Sequence, residues 1–539
     1  MPSRRLLAGV VAALLGLTAC QLSKPPQILP GPAKPSQVLR VSVAALPAST
    51  DPALAPAYDY GIARTAFEAL LKPKADLSDV QPAAAESYDV SSDGLTYTFH
   101  LRPKGAWSDG VPVRAEDFVL GWKRILDPRV NSPVADLLAG RIKNAAGYAD
   151  LDPKQDAAKI PAFLDGLGIR AADDRTLVVQ LDHVAPDFKW IASVPACAPV
   201  RADTPATGPG PGNGPFYLVS ASKDSVVLAA NTHYWAGRPQ LAKILLTPRG
   251  DPVVDLARFQ AGEEEVTTVP QSSTAPVTRD PTLSRDLVRV PQLIEVWAQF
   301  NVHRAPFDNA RVRLAIAQAI DRDQLIRDGA ESPALPSLGP VPKGLRAYRP
   351  ALAAQQFDAT RAKSTLDSSG VAPSALAGIH LLVRDLPADR AVATSVAAQL
   401  KQHLGIDMTV DVKPSPEVTA TLQRGDFQLQ VPGGWLADYP DEQDFLDLFR
   451  TEDFSQWSRY SSPGFDRLVQ QADHETDPSR RLQLYGQAQQ LVAQDAPVAF
   501  LFQPEAWNLK QPQVQGVTYT ALDDWPGDLF AADLSIASP

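Results

Sequence analysis

The chain has 539 residues and a formal net charge of −10, from 51 basic and 61 acidic side chains. This length exceeds what one hydrophobic core normally serves, so it predicts two or three domains. The acidic balance argues against a nucleic-acid-binding protein, because such domains normally carry a basic patch.

The first 20 residues have the pattern of a bacterial export signal. Arg4 and Arg5 precede an apolar run of 14 residues, 6–19. A run this short is typical of a signal peptide and cannot span a bilayer. It ends in the letters LTAC, which match the lipobox of bacterial lipoproteins, and this resemblance implies that Cys20 becomes the lipid-bearing N-terminus. The alternative interpretation is an ordinary signal peptide followed by an accidental cysteine.

Residues 20–37 follow as a proline-rich segment. They contain five prolines and no hydrophobic periodicity, which predicts an extended tether ahead of the folded protein. No later run is long enough to cross a membrane. With Cys20 lipidated, Cys197 is the one other cysteine, so the sequence predicts no disulfide framework and a buried Cys197.

The first predicted strand begins at Val38. Its apolar residues Leu39, Val41 and Val43 occupy alternate positions, as in a strand with one buried face. The pattern ends at Pro47, which lacks a backbone N–H and cannot donate to a ladder.

A turn at Asp93-Gly94 opens the most regular segment. Tyr97, Phe99 and Leu101 alternate with polar residues, which predicts a half-buried strand. The helix that follows has its apolar residues on one face and ends before Pro128. These apolar residues are Phe118, Val119, Trp122, Ile125 and Leu126.

Two segments in the middle of the chain are predicted to be connections. The Gly- and Pro-rich residues 208–215 lack the lysine and the N–H groups of a phosphate-binding loop, so they are interpreted as a tight entry into a strand at 216–219. Residues 263–265 are three glutamates and are predicted to form a solvated turn.

The C-terminal half begins with helix patterns and one strand–helix–strand unit. A single helix is predicted from Asn309 to about Ile326. Residues 379–383 and 406–412 have strand patterns, and the amphipathic helix between them ends at Gly405, a residue typical of helix C-termini. A unit of this length predicts a right-handed parallel crossover.

The next strand pattern leads to candidate binding residues. Phe427, Leu429 and Val431 alternate, and the strand is predicted to stop at 432–434, Pro-Gly-Gly. Ligands of α/β sheets favour the carboxyl ends of strands, and the glycines would let another backbone approach closely. The acidic run that follows is interpreted as a solvated surface in preference to a cation site, because it lacks the ligand spacing of a calcium loop. It comprises Asp438, Asp441, Glu442, Asp444 and Asp447.

Several segments, in this order, resemble one protein family. They are 93–102, 107–118, Asn231 with Tyr234 and Trp235, 307–322, 434–439, 460–466 and 480–485. On these motifs the chain is similar to the extracytoplasmic solute-binding proteins of peptide import transporters, the oligopeptide/dipeptide-binding family 5. The resemblance implies an α/β, two-lobed periplasmic-binding-protein type II fold with an extra domain inserted in the first lobe.

The resemblance also implies domain bounds. Residues 38–58, 191–285 and 504–539 would form domain I, and residues 59–190 would form domain II, which together make lobe 1. Residues 286–503 would form domain III, which is lobe 2. A ligand would be captured when the lobes close about a hinge.

The same resemblance assigns candidate ligand-binding residues. Asp438 would bind the α-ammonium of a peptide, and Trp435 would line a side-chain pocket. The alternative is that Asp438 caps a turn and that Trp435 belongs to the core. The other candidates lie in the same motif and after the first strand: Gly433, Gly434, Leu436, Tyr439, Ala45 and Leu46.

One position departs from the family pattern. Members can place a basic residue shortly before the motif, where it helps to hold a ligand carboxylate, and this chain has Val431 and Pro432 there. The resemblance therefore leaves ligand length and C-terminal recognition open.

The function that the resemblance implies is delivery of short peptides to an ABC transporter. The chain would act outside the cytoplasm as a monomer held to a membrane by its N-terminal lipid, and separate permease and ATPase subunits would perform transport. No enzyme activity, cofactor, metal or nucleic-acid partner is implied. The alternatives are a non-peptide ligand (a nickel chelate, haem or glutathione) or an orphan lipoprotein that senses peptides or acts as a chaperone.

Overall fold

The structure is a computed structural model that describes residues 37–43, 45–47, 49–55, 60–204, 208–451 and 457–537. The predicted signal peptide, Cys20 and residues 21–36 of the tether lie outside these ranges. Within the described ranges, no helix has the length and apolar character needed to cross a bilayer.

Within the described residues, the strands belong to three larger sheets and two separate two-stranded pairs. In chain order they are β1 (Val38–Val43), β2 (Leu71–Pro73), β3 (Val80–Pro82), β4 (Ala85–Val90), β5 (Thr96–Leu101), β6 (Ile169–Asp173), β7 (Thr176–Gln180), β8 (Phe216–Ala221), β9 (Val226–Ala230), β10 (Lys243–Pro248), β11 (Val266–Thr268), β12 (Val288–Pro291), β13 (Ile294–Phe300), β14 (Ala334–Pro336), β15 (Ile379–Arg384), β16 (Met408–Lys413), β17 (Leu429–Leu436), β18 (Val498–Lys510), β19 (Val514–Gln515) and β20 (Ser535–Ile536).

The α-helices connect these strands and cover the sheets. In chain order they are α1 (Tyr60–Ala66), α2 (Ala115–Ile125), α3 (Ala135–Ala139), α4 (Ile160–Gly166), α5 (Phe188–Ile191), α6 (Pro252–Gln260), α7 (Thr274–Arg279), α8 (Pro281–Asp286), α9 (Ala310–Gln318), α10 (Arg322–Gly329), α11 (Ala359–Asp367), α12 (Pro387–Leu404), α13 (Ser415–Arg424), α14 (Gln443–Leu446), α15 (Pro463–Asp473) and α16 (Pro478–Asp495).

Each larger sheet has its own strand order. The first has the order β1-β10-β9-β8, and the second, β4-β5-β7-β6, is antiparallel throughout. The large sheet has the order β11-β18-β13-β17-β15-β16. In it, β13 is antiparallel to both neighbours, whereas β15 is parallel to β16 and β17. The architecture is therefore mixed α/β.

The regular segment after Asp93-Gly94 folds as predicted. Tyr97, Phe99 and Leu101 are buried along β5, and they alternate with half-buried polar residues. The five apolar residues of the predicted helix are all buried, and α2 ends at Ile125. Cys197 is also buried, as expected for a small apolar side chain.

The strand–helix–strand unit is likewise confirmed. Strands β15 and β16 are parallel and are joined by α12, whose C-cap is Gly405 at a φ of +70°. However, β16 is the edge strand of the large sheet, and Val410 and Val412 are 37% and 40% exposed.

The predicted helix from Asn309 to Ile326 is wrong in one respect, because it is two helices. Asn309 caps α9 by accepting a hydrogen bond from a backbone N–H. Asp321 then caps α10, accepting from the N–H of Gln324 at 3.1 Å. The second N-cap starts a new helix inside one apolar pattern.

The predicted solvated turn at 263–265 is also wrong. Glu264 and Glu265 are buried. Ser42 donates a hydrogen bond to Glu264 at 2.6 Å, and Arg40 forms an ion pair with Glu265 at 2.9 Å. Both partners lie more than 200 positions away on β1, so a local reading of three adjacent charges could not find them.

Candidate ligand-binding site

The strand that leads into the candidate motif is longer than predicted. It was expected to stop at 432–434, but β17 continues to Leu436 because it pairs with β13, Gly433 opposite Trp297 and Gly434 opposite Val296. A Cβ on Gly434 would lie 2.7 Å from the carbonyl oxygen of Glu295. The close backbone approach that this glycine permits is therefore that of the chain's own β13.

The opposite edge of β17 opens away from its neighbour. Strand β15 pairs with β17 at Leu429 and Gln430. Beyond Gln430, no strand among the described residues pairs with this edge. A cavity of about 900 Å³ lies here, which we call the strand-edge cavity. Six residues of β17 line it: Gln430, Pro432, Gly433, Gly434, Trp435 and Leu436.

A second cavity adjoins the first. It has a volume of about 470 Å³ and is lined partly by α1, so we call it the α1 cavity. Seven residues line both cavities and therefore mark the junction between them: Ile294, Glu331, Ser332, Leu436, Asp438, Tyr439 and Pro504.

Asp438 presents an uncompensated carboxylate at this junction. Its backbone N–H donates to Asp444 Oδ2 at 3.0 Å. Its side chain has no hydrogen-bond or ion-pair partner within the described part of the chain. Burial raises the pKa of Asp438 from 3.8 to about 7, because a low-dielectric environment disfavours the charged form. A cationic group supplied by a ligand would relieve this cost.

Asp444 supports the residues around Asp438. Its Oδ2 also accepts a hydrogen bond from Trp435 Nε1 at 3.1 Å. Burial, followed by the nearby charge of Asp438, raises the pKa of Asp444 well above its ordinary value. This carboxyl thus fixes the indole of Trp435 and the backbone of Asp438 relative to each other.

The prediction that the acidic run forms a solvated surface is wrong. Asp441 and Glu442 are each 1% exposed. Arg481 donates two hydrogen bonds to Asp441, at 2.8 and 2.9 Å, and the backbone N–H of Ala347 donates to Glu442 at 2.8 Å. Asp441 and Glu442 are instead buried and partnered, and Asp438 is the member of the run that lines both cavities.

Trp435 combines the two predicted alternatives. It packs against the hydrophobic core that contains Phe445 and Leu446, and it also lines the strand-edge cavity. The sequence could not separate these roles, because an indole is large enough to serve both.

Tyr439 connects the motif to a different part of the chain. It is buried in the hydrophobic core formed otherwise by residues between 53 and 197. Its Oη accepts a hydrogen bond from Arg141 Nη2 at 3.0 Å. Tyr439, predicted only as a candidate ligand-binding residue, therefore makes a side-chain contact that the sequence did not indicate.

The N-terminal candidates lie close to the α1 cavity without forming a strand. Strand β1 ends at Val43, earlier than the predicted end at Pro47. Ala45 and Pro47 line the α1 cavity, whereas Leu46 packs against the core that contains Leu39. The structure thus brings Ala45 to the wall of the α1 cavity, which Leu436, Asp438 and Tyr439 of the C-terminal motif also line.

Tyr60 is a site residue that sequence reasoning missed. It is 2% exposed and lines the α1 cavity, and its Oη has no hydrogen-bond partner among the described residues. Burial and then the charge of Asp438 raise the pKa of Tyr60 well above 10. No motif surrounds this residue, because its role depends on folding that brings positions 60 and 438 together.

Comparison with known proteins identifies the family to which the chain is similar. The model of the bacterial extracellular solute-binding proteins, family 5 Middle, matches residues 79–457. The periplasmic murein peptide-binding protein MppA of Escherichia coli is 28% identical over 418 residues, which cover 74% of this chain and 75% of that protein. The probable deoxycholate-binding periplasmic protein YgiS of the same organism is 29% identical over 415 residues, with coverages of 74% and 75%.

A solved structure shows the same relationship. The structure of the murein tripeptide-binding protein MppA of Escherichia coli superposes with a TM-score of 0.78 at 26% identity. The match covers 94% of this chain and 99% of that one. The two-lobed α/β fold expected from the sequence is therefore confirmed.

Proposed function

The chain belongs to the bacterial extracellular solute-binding proteins of family 5, and from this premise we propose that it captures short peptides at the junction around Asp438. It would act outside the cytoplasm as a lipid-anchored monomer and deliver its ligand to an ABC permease. The names of relatives such as the periplasmic murein peptide-binding protein support peptide as the ligand.

One observation carries the proposal. Asp438 is a largely desolvated carboxylate without a cationic partner among the described residues, at the junction of two cavities. The α-ammonium of a peptide would supply that partner and would shift Asp438 to its ionised form. Truncating one member of a buried charge pair costs about 2–5 kcal/mol, so Asp438 would contribute a large part of the affinity.

The free edge of β17 would bind the peptide backbone. An extended ligand beside residues 432–436 would add a strand and exchange main-chain hydrogen bonds with the edge that β15 leaves unpaired. Pro432 has no N–H to donate, so the available donors belong to Gly433 and the residues after it. Recognition through the main chain would tolerate many side chains.

Tyr60 would complete the ammonium site. Tyr60 lines the α1 cavity and its buried Oη has no partner in the described ranges, and an unsatisfied buried hydroxyl costs about 1–3 kcal/mol. A ligand group next to Asp438 would satisfy it. Asp438 and Tyr60 would then both contact the ligand, although they belong to segments that are far apart in the chain.

Isothermal titration calorimetry with an unblocked alanine tripeptide tests the proposal. We expect Asp438→Asn, or N-acetylation of the peptide, to weaken binding at least tenfold, about 1.4 kcal/mol or more. Asp426→Asn is the matched control, because Asp426 is an exposed aspartate paired with Arg304 and Arg424. Equal affinity of Asp438→Asn and the wild type would remove Asp438 from the site, and no binding of any unblocked peptide would refute the function.

A steroid acid is the second candidate ligand, because one relative is named as probably deoxycholate-binding. The unpaired carboxylate of Asp438 disfavours it, since an anionic ligand at the junction would add like-charge repulsion. Titration with deoxycholate separates the two functions. Saturable binding of deoxycholate by a protein that ignores peptides would replace the peptide assignment.

A further inference from the structure

Aromatic side chains form much of the strand-edge cavity. Six of them line it among the residues that the structure describes: Trp297, Trp435, Tyr439, Phe449, Trp457 and Phe502. An apolar cavity of about 150 Å³ is already large enough to bind benzene. The volume of about 900 Å³ therefore leaves room for an aromatic side chain beside a peptide backbone.

Two of these rings are held in fixed orientations. Trp297 Nε1 donates a hydrogen bond to Gln299 Oε1 at 3.2 Å, and the ring centroids of Trp297 and Phe449 are 6.0 Å apart. The indole of Trp435 is held by its hydrogen bond to Asp444. Rings that are already fixed lose little conformational freedom when a ligand binds, so they offer a preformed surface for another ring.

A glycine keeps the indole of Trp297 close to β17. Gly433 is opposite Trp297 in the strand register. A Cβ at position 433 would lie 2.8 Å from Trp297 Nε1, which is too short for a Cβ contact. Because position 433 has no side chain, the indole lies against the strand whose free edge would carry the ligand backbone. A side chain of that ligand would therefore come within reach of the indole.

A small apolar cluster adds another part of the lining. Trp457 is half-buried and packs against a core that contains Leu382, Val418, Leu422 and Phe427. Val418, Leu422 and Trp457 also line the cavity. A ring placed against them would be removed from water, which is favourable in proportion to the apolar area buried.

The charged side chains of the cavity beyond the junction are engaged within the protein. Asp444 accepts its hydrogen bonds from Trp435 and Asp438, and Asp136 also has an interaction partner. Three ion pairs engage the others: Arg141–Asp187 at 2.6 Å, Arg384–Asp389 at 2.5 Å and Asp447–Arg450 at 3.2 Å. A charged ligand side chain placed here would lose its hydration and meet charges that are already compensated.

We infer that the strand-edge cavity selects a large aromatic side chain at one position of the bound peptide, through an aromatic wall formed by Trp297, Phe449 and Trp457. This inference depends on the proposed function, because it takes the ligand to be a peptide with its ammonium at Asp438. The first residue then lies at the junction, and the next residues lie beside β17. Adjacent side chains of an extended chain point to opposite faces, so residue 2 or residue 3 faces the aromatic wall, and not both.

Calorimetric titration of the protein with unblocked tetraalanine and its substituted analogues tests the inference. Phenylalanine at position 2 or at position 3, but not at both, should raise the association constant at least tenfold. At the favoured position, leucine should give a smaller increase because it has no ring, and lysine or glutamate should give none. Three results would each overturn the inference: no gain at either position, equal gains at both, or a gain from lysine or glutamate that matches that from phenylalanine.

Trp457→Ala tests the aromatic wall itself. The ratio of the association constants of the favoured phenylalanine peptide and of tetraalanine should fall at least threefold in this variant. Phe357→Ala is the matched control, because Phe357 is 37% exposed and lines neither cavity, and it should keep the wild-type ratio. In Trp457→Ala, N-acetylation of tetraalanine should still weaken binding, which shows a folded site with an intact Asp438. An unchanged ratio in a folded Trp457→Ala would overturn the assignment of this wall.

The outcomes separate the inference from the function on which it depends. Unblocked peptides that bind without any preference for phenylalanine would overturn the selection and leave peptide capture standing. Failure of all unblocked peptides to bind the wild type would refute both.

Discussion

Arg141 and Tyr439 are 298 positions apart in the chain, and Arg141 Nη2 donates a hydrogen bond to Tyr439 Oη across 3.0 Å. Arg141 is itself fixed by Asp187 at 2.6 Å. Tyr439 is the residue after Asp438, so this contact links the segment around residues 141–187 directly to the proposed ammonium site. If the two lobes separate on ligand release, this hydrogen bond is among the contacts that must break.

Tyr439→Phe should therefore weaken peptide binding by favouring the open form. The substitution removes one hydrogen bond to a charged donor, which is worth about 1.5–3 kcal/mol, so the dissociation constant should rise by about tenfold or more. Most of the change should be a faster dissociation rate in stopped-flow fluorescence. Tyr348→Phe, at an exposed tyrosine outside both cavities, is the control. An unchanged dissociation rate in Tyr439→Phe would show that the Arg141–Tyr439 hydrogen bond does not stabilise the closed form.

Peptide affinity should depend on pH through Asp438. Burial raises the pKa of this group from 3.8 to about 7, so the unliganded folded state holds the proton more tightly than the unfolded state. The group therefore lowers the free energy of unfolding as the pH rises from about 4 to 7. An ammonium ligand needs the ionised form, and binding below pH 7 must release the proton.

The association constant should accordingly rise by up to tenfold per pH unit between about pH 5 and 7. It should level off before the peptide ammonium itself titrates near pH 8. Titrations at several pH values measure this slope, and buffers of different ionisation enthalpy count the released proton. Asp438→Asn should bind weakly with a flat profile. A wild-type profile as flat as that of the variant would contradict the role of Asp438.

Tyr60→Phe should change stability and binding in opposite directions. Its hydroxyl is buried without a partner among the described residues, so removing it should raise the free energy of unfolding of the unliganded protein by about 1 kcal/mol. Peptide binding should weaken, because the ligand loses a hydrogen-bond partner. Thermal unfolding with and without peptide measures both effects.

Tyr485 provides the contrasting case. Its Oη accepts from Arg481 at 2.9 Å and donates to Asp473 at 3.2 Å. Tyr485→Phe should therefore lower the free energy of unfolding by about 1–3 kcal/mol. If Tyr60→Phe is destabilising to the same extent, its hydroxyl has a structural partner and no role toward a ligand.

Local sequence patterns correctly predicted the elements whose structure is determined by residues adjacent in the chain. The alternation of Tyr97, Phe99 and Leu101 and the C-cap at Gly405 were predicted from a few adjacent residues. The predicted end of β17 was wrong because Gly433 and Gly434 pair with β13, more than 130 positions earlier. Pro-Gly-Gly resembles a turn until that partner strand is known.

The candidate site also combines residues that the sequence identified with residues whose environment depends on distant parts of the chain. Sequence similarity singled out Asp438 and Trp435, and the structure brings them to adjoining cavity walls. The sequence could not show that Asp441 is buried, because Arg481, the partner that permits its burial, is 40 positions away. Tyr60 belongs to no motif, and its place beside the α1 cavity follows from tertiary packing.

The Asp441–Arg481 pair gives a test of how the acidic run is supported. Both side chains are buried, and the arginine lowers the pKa of Asp441 below 3.8. Such a group stabilises the folded state above its unfolded pKa, and this contribution is lost as the pH falls through the folded pKa. Arg481→Met would leave a buried carboxylate without its cation and should lower the free energy of unfolding by about 3–5 kcal/mol at pH 7.

The deficit should shrink as the pH falls toward 5, because the unpaired Asp441 then has a raised pKa and takes up a proton instead of remaining charged. Urea unfolding of the variant and the wild type at pH 5 and 7 measures this difference. Arg480→Met, at the exposed neighbouring arginine, should have little effect at either pH. A deficit in Arg481→Met that does not change with pH would mean that lost packing, and not the uncompensated charge of Asp441, accounts for the destabilisation.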